Sequence, residues 1–167
     1  MYNYIMNTKT LVVYYSYEGN TEKIAQAIAQ EIGAATLRLR PKKEMQSTGF
    51  SKYLWGGKQV VMKSKPDLES FDVDFSEYAQ VFIGTPVWSF SYAPAIRTFL
   101  DSGLLSGKQV YFFSTHEGGP GKVEMRAKKL VEKANQWMGA KDFRDVAKDT
   151  DGCLAEALEW VRSLTLV

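Results

Sequence analysis

The chain has 167 residues, about one domain at roughly 100 to 200 residues per domain, enough to bury a core without disulfide staples. Apolar residues make up 45% and charged residues 24%, an ordinary globular balance that excludes a disordered, collagen-like or heptad-repeat chain. Twenty-one basic against 19 acidic side chains leave a formal charge of +2, too small a surplus to point to nucleic acid.

Cys153 and His116 are each the only residue of their type. An internal disulfide and a Cys/His zinc site are thereby excluded, no metal site is expected, and a Ser or Cys nucleophile would have only His116 as its base. A lone thiol suits a reducing, cytoplasmic setting. The longest uninterrupted apolar run, Leu11 to Tyr15, has five residues where about 20 cross a bilayer, so no membrane span is expected. Residues 1–9 read as a short extension without the apolar stretch of a signal sequence, and the whole of 1–167 as one domain.

In chain order, short β-branched or aromatic runs alternate with stretches of helical spacing, the pattern of βαβ units and a parallel sheet. Leu11 to Tyr15 is a buried strand. Thr21 to Ile32 follows as a helix with Ile24, Ile28 and Ile32 on one face and Gly33 as its stop. Thr36 to Arg40 alternates, as an edge strand does. Pro41 to Tyr78 spans 38 residues, too long for a plain loop, so Phe50 to Val61 is expected to form a helix that brings Tyr53, Leu54 and Val61 to the sheet. Basic residues from Arg40 to Lys65 precede acidic ones from Asp67 to Glu77, a solvated helix and an acidic loop.

Val81 to Gly84 is the next buried strand, and Pro94 to Leu100 a helix with Pro in its first turn. Val110 to Ser114 is a fourth strand. Lys122 to Met138 reads as a helix stopped by Gly139, Lys141 to Ala147 as the fifth strand, and Leu154 to Leu164 as a final helix, with Cys153 ahead of it as a small structural residue. Right-handed crossovers then give a three-layer α/β sandwich.

Ligands of open parallel sheets lie beyond the carboxyl ends of the strands, and three loops there are unusual. In Ser16-Tyr17-Glu18-Gly19-Asn20-Thr21 a buried strand passes straight into a helix. Gly19 allows a tight path, the free N–H groups of the helix start converge, and the Ser16, Asn20 and Thr21 side chains can donate, which makes a phosphate nest. The loop lacks the Lys of a P-loop and the glycine spacing of a dinucleotide fingerprint; a plain helix cap at Asn20 is the simpler alternative. In Gly84 to Pro94, Trp88, Phe90 and Tyr92 fall within five residues, where flat surfaces suit a planar ligand or fold back as lids on the core. In Thr115-His116-Glu117-Gly118-Gly119-Pro120-Gly121 the glycines bare the backbone to a ligand, or simply leave a mobile loop. His116 is the one side chain there that ordinarily titrates near neutrality. It is the candidate catalytic residue, a proton or hydrogen-bond donor to a reduced acceptor, if it is more than an exposed loop histidine.

The segments YYSYEGNTEKIA, IGTPVWSFSYAPAIRTFL and FSTHEGGPGK, in that order, resemble those of short-chain flavodoxin-like proteins, over nearly the whole length from Lys9 to Leu164; GTPVW is the most specific piece. The resemblance implies a five-stranded parallel sheet in the order 2-1-3-4-5 and one non-covalent FMN. It implies that Ser16, Gly19, Asn20, Thr21 and the amides of Tyr17 and Glu18 hold the phosphate. Thr85, Pro86, Val87 and Trp88, with Phe90, would flank the isoalloxazine, and Thr115, His116, Glu117, Gly118 and Gly119 its pyrimidine side. Two features depart from the pattern: Glu18 stands where the family commonly has a hydroxyl residue, a repulsive neighbour for phosphate unless turned to solvent, and the chain is mildly basic where dedicated carriers are strongly acidic. The expected activity is an FMN-dependent oxidoreductase that draws on NAD(P)H and reduces a quinone or nitro compound. The alternative is an electron carrier docking on redox proteins through its basic stretch. A receiver-like phosphorylation switch would need acidic residues where Tyr14-Tyr15-Ser16 and Gly84-Thr85 stand.

Overall fold

A computed structural model of the chain describes residues 9–43, 64–164 and 166. Five parallel strands form the sheet: β1 (Lys9–Tyr14), β2 (Ala35–Arg38), β3 (Tyr78–Trp88), β5 (Gln109–His116) and β6 (Gln136–Arg144), lying in the order β2-β1-β3-β5-β6. Counted along the chain without the hairpin strand, this is the expected 2-1-3-4-5. A sixth strand, β4 (Ser91–Tyr92), turns back antiparallel on the end of β3. Among the described residues four α-helices complete the layers: α1 (Asn20–Ile32), α2 (Pro94–Asp101), α3 (Val123–Val131) and α4 (Thr150–Ser163).

The central strands read as unbroken apolar runs because both faces are covered. On one face Val12, Tyr14, Phe82, Tyr111, Phe113 and Phe143 pack with Ile24 and Ile28 of α1 and Ala157 and Val161 of α4. On the other, Leu11, Val13, Val81, Ile83 and Phe112 meet Ile96 and Phe99 of α2 and Val123, Ala127 and Val131 of α3. Among the described residues no helix is long and apolar enough to cross a membrane.

Four expectations need correction. The helix expected to reach Met138 stops at Val131. Asn135 ends it by accepting from the Lys108 amide (3.0 Å) and donating to the Leu105 carbonyl (3.2 Å), which ties the turn to the loop before β5. The fifth parallel strand therefore begins at Gln136 and not at Lys141. Trp137 and Ala140 join the core beside α3 and Met138 the opposite one, so a strand alternation had extended the helical spacing by coincidence. Gly139 is no helix stop: Val110 pairs with Trp137 and Tyr111 with Gly139, which leaves Met138 as the extra residue of a bulge, and Gly139 has φ 146°. Cys153 lies inside α4, buried, with Sγ donating to the Arg144 carbonyl at 3.3 Å. Burial pushes its thiol pKa up, which suits a packing residue.

The helix expected over Phe50 to Val61 lies outside the described residues. The ends of its segment are closed by an antiparallel bridge, Pro41 with Leu68, and by Lys42 N–H donating to the Asp67 carbonyl at 2.8 Å. The acidic stretch that follows is not simply solvated, since Leu68, Phe71 and Val73 alternate inward with the acids outward, and Phe71 and Phe75 pack edge-on (5.9 Å) over α2.

Candidate functional site

β1 delivers the chain at Ser16, 4% exposed, and Gly19 turns it into α1 at φ 92°, a left-handed conformation open chiefly to glycine. Ser16 Oγ accepts from the Glu22 amide (3.2 Å). That satisfies one helix-start N–H and leaves the serine hydrogen free to be donated to a ligand. Behind the loop, Arg38 of β2 donates to the Ser16 carbonyl (3.1 Å) and to Glu22 (2.8 Å). Glu22 also accepts from the Tyr14 phenol (3.1 Å), which in turn accepts from Gln26 (3.3 Å). Burial pushes the Tyr14 pKa up and keeps that donor protonated. Sequence reasoning missed this brace; its signal was Arg38 alone between the buried Leu37 and Leu39.

β3 runs past the sheet into a hairpin, Val87 pairing with Tyr92 and Trp88 with Ser91. Its two-residue turn has Ser89 at φ 48° and Phe90 at φ 63°, the geometry that normally selects Asn-Gly. Thr85 is fully buried, and its hydroxyl donates to the Pro86 carbonyl and accepts from the Ala93 amide, both at 2.9 Å. It fixes the hairpin and does not line the cavity. Trp88 meets Tyr15 edge-on (5.5 Å, 90°) and Tyr17 likewise (6.0 Å, 80°). Tyr92 folds onto the core, and burial raises its phenol pKa. Phe90 instead stands 61% exposed at the cavity mouth. The Lys122 amide donates to its carbonyl (3.3 Å), and Gly121 sits so close that a Cβ there would come within 2.7 Å of the Phe90 Cβ.

The third loop leaves β5. Thr115, 4% exposed, is hydrogen-bonded through its hydroxyl to that of Thr21 (2.8 Å). His116 is no exposed loop residue: it ends the strand, with 4% of its side chain exposed and Nε2 2.9 Å from Asp142 Oδ2 of β6. Its Nδ1 is buried and has no hydrogen-bond partner among the described residues. Glu117, Gly118 and Gly119 continue along the rim.

The three loops enclose one cavity of about 700 Å³, floored in addition by Val146 beyond β6, within the usual range of small-molecule sites. Of the predicted residues, Ser16, Tyr17, Glu18, Asn20, Thr21, Pro86, Val87, Trp88, Phe90 and Thr115 to Gly119 line it; Gly19 shapes the turn behind. Glu18 lies at the rim, exposed to solvent. Among the described residues no cluster of His, Cys, Asp and Glu is placed to hold a metal.

Solved structures of similar architecture include flavoproteins. A Bacteroides eggerthii chain assigned as a flavoprotein is 25% identical, with TM-score 0.80 over 96% of this chain and 100% of that one. A Lactobacillus acidophilus flavoprotein in complex with FMN is 26% identical, with TM-score 0.68 over 84% of this chain and 95% of that one. The two-electron-reduced flavodoxin of Megasphaera elsdenii, 18% identical, shares the fold with TM-score 0.58 over 90% of this chain and 96% of that one. A family model described as flavodoxin matches residues 9–152, from the first strand into the last helix and across all three loops, and the chain belongs to that family.

Proposed function

We propose that this flavodoxin-family protein binds FMN and is an oxidoreductase that passes electrons from the reduced flavin to a small flat acceptor, a quinone or nitro compound. FMN fits the residues present. A phosphate needs donors on the positive end of a helix dipole, and the start of α1 offers its amides with the Ser16, Asn20 and Thr21 side chains. A flat ring system needs apolar walls, which Pro86, Val87 and Trp88 provide, and His116, Glu117, Gly118 and Gly119 line the side expected for its pyrimidine edge. The flavin supplies the electron chemistry; the chain orients it, shields it and leaves one side open.

The observation that favours an enzyme over a carrier is Phe90. An aromatic ring held 61% exposed at the mouth, on a turn that costs it a left-handed φ of 63°, is strain maintained at a functional position. Phe90 gives a flat acceptor a surface on which to stack.

FMN and riboflavin titrations followed by flavin fluorescence, then NAD(P)H oxidation by FMN-loaded protein with a quinone acceptor, test this reading. Tighter binding of FMN than of riboflavin, with acceptor-dependent turnover, is expected. Equal affinities overturn the phosphate assignment, and negligible turnover with tight FMN binding makes the protein a carrier for redox proteins.

A further inference from the structure

Thr115 of β5 reaches the Thr21 side chain of α1, so its neighbour His116 points to the opposite face of the sheet, the side of Phe112 and α3. Asp142, two residues beyond Ala140 on β6, falls on that same face. The pair bridges two environments: the imidazole lines the cavity and is nearly sealed, 4% exposed, while the carboxylate it holds at 2.9 Å is 53% exposed to solvent. A carboxylate accepts only, so Nε2 carries the hydrogen of that bond. In the neutral ring Nδ1 is then a bare lone pair, buried and without a partner. Such a group is costly to leave unmatched.

We propose that the His116–Asp142 pair is the proton acceptor of the cavity: His116 takes up one proton at Nδ1 for each electron pair stored there, with Asp142 as the positioning residue that fixes the tautomer. The inference rests on the reading of the cavity as a flavin site. In balance, a hydride donor of the nicotinamide class gives two electrons and one proton to the flavin, which gains one negative charge. His116 gains one proton from solvent and one positive charge, so the net charge of the site is unchanged. When the acceptor leaves as a quinol, the hydride equivalent and the His116 proton together supply its two electrons and two protons.

Asp142 holds the imidazole through the 2.9 Å hydrogen bond at Nε2. Other charged groups around the pair are Arg144 at the end of β6 and Asp145 just beyond it, whose amide donates to the His116 carbonyl (2.8 Å). Glu117 belongs to the same loop, Glu18 stands on the rim of the cavity, and Lys122 and Glu124 lie at the start of α3. Lys141 is turned to Glu156 (3.3 Å) and is not part of the group.

Because His116 is the single histidine in 167 residues, its imidazole nitrogen resonances need no assignment in protein free of added histidines. The experiment is ¹⁵N imidazole NMR of FMN-loaded protein, oxidised and then reduced with dithionite, together with the pH dependence of the flavin midpoint potential. At pH 7 to 8, about where a neutral imidazole is ordinarily populated, the Nε2–H tautomer is expected in the oxidised protein and the doubly protonated ring after reduction. The potential should show one more proton taken up per electron pair in the parent than in His116→Gln. That is a slope difference of about 30 mV per pH unit, a tenfold change in equilibrium constant for a two-electron couple. Asp142→Asn should retain FMN binding but lose the tautomer preference and lower the uptake.

An Nδ1–H tautomer, an imidazole spectrum unchanged on reduction, or identical potential slopes in parent and His116→Gln overturns the inference while leaving the flavin site standing. Failure of the parent protein to bind FMN overturns the functional reading itself.

Discussion

The hydroxyl oxygens of Thr21 and Thr115 lie 2.8 Å apart and buried, although β3 stands in the sheet between β1, which leads into the helix of Thr21, and β5, which carries Thr115. The bond couples the phosphate loop to the loop of the pyrimidine side. One hydrogen lies between the two oxygens, and if Thr115 donates it, Thr21 keeps its own for a phosphate oxygen. Thr21→Ala should weaken FMN binding by about 1.5 to 3 kcal/mol, the range for a hydrogen bond to a charged group, and leave riboflavin affinity unchanged. Thr115→Val orphans the Thr21 hydroxyl and should cost about 1 to 3 kcal/mol of stability, part of which Thr21→Val restores in the double variant. Denaturant unfolding and fluorescence titration of the same proteins separate the two effects.

Arg38 reaches the phosphate loop from behind, through the Ser16 carbonyl at 3.1 Å, while neutralised by Glu22 at 2.8 Å. It acts by holding the backbone in place, since its charge is already paired. Arg38→Met should therefore weaken FMN about tenfold, near 1.4 kcal/mol, with riboflavin again unaffected. A parallel loss for both flavins in the titrations would show a general collapse of the cavity and remove the positioning role.

Gly84 lies where β3 passes beneath the Phe113 ring, and an ideal Cβ there would meet that ring at separations no real side chain tolerates. Its φ is not positive; the requirement is space for Phe113 on the α1 face. Gly84→Ala should destabilise the fold by about 1 to 3 kcal/mol through overpacking. Gly84→Ala with Phe113→Leu should recover part of the loss in urea unfolding. An undiminished loss in the double variant would place the strain in the backbone.

The parallel sheet and all three site loops were legible because each rests on local sequence: buried strands read as apolar runs, and the loops follow them immediately. What failed was whatever depended on tertiary partners. The stop of α3 is made by Asn135 bonding to the loop before β5, which no periodicity encodes. Trp137 continues the helical spacing of Ala127, Leu130 and Ala134, and only the bulge at Met138 puts it on one face of the sheet with Ala140. In the site, Ser16, Thr21 and Thr115 were named from their loops, but Arg38 and Asp142 belong to the adjacent strands β2 and β6, and only strand register brings them to the residues they hold, Ser16 and His116. Thr85 was assigned to the ligand from its motif, yet the hairpin it fixes consumes its hydroxyl.

On the far side of the sheet Glu31 of α1 accepts from Arg162 of α4 at 2.6 Å, and that hydrogen bond holds the Glu31 carboxyl below the usual range. A carboxyl whose folded pKa is depressed contributes stability above its unfolded value, near pH 4, and loses it as pH falls through the folded value. The melting temperature should fall between about pH 4.5 and pH 3, and Glu31→Gln should flatten that part of the profile by a small amount, as befits an exposed pair. An identical acid limb in both proteins would assign the loss to other carboxyls.

Phe90 sets stability against function at a single residue. Its left-handed φ of 63° costs a residue with a Cβ about 1 to 2 kcal/mol, which glycine avoids. Its ring is mostly in solvent, 61% exposed, so removing it forfeits little packing. Phe90→Gly should accordingly raise the unfolding free energy by about 1 kcal/mol, after part of the gain is offset by the extra freedom of glycine in the unfolded chain. The same change removes the surface on which an acceptor stacks, so KM for a flat acceptor should rise several-fold while FMN affinity changes little. A more stable protein with an unchanged KM would mean that the strained turn serves something other than acceptor binding. A less stable one would show that the contact with Gly121 outweighs the backbone strain.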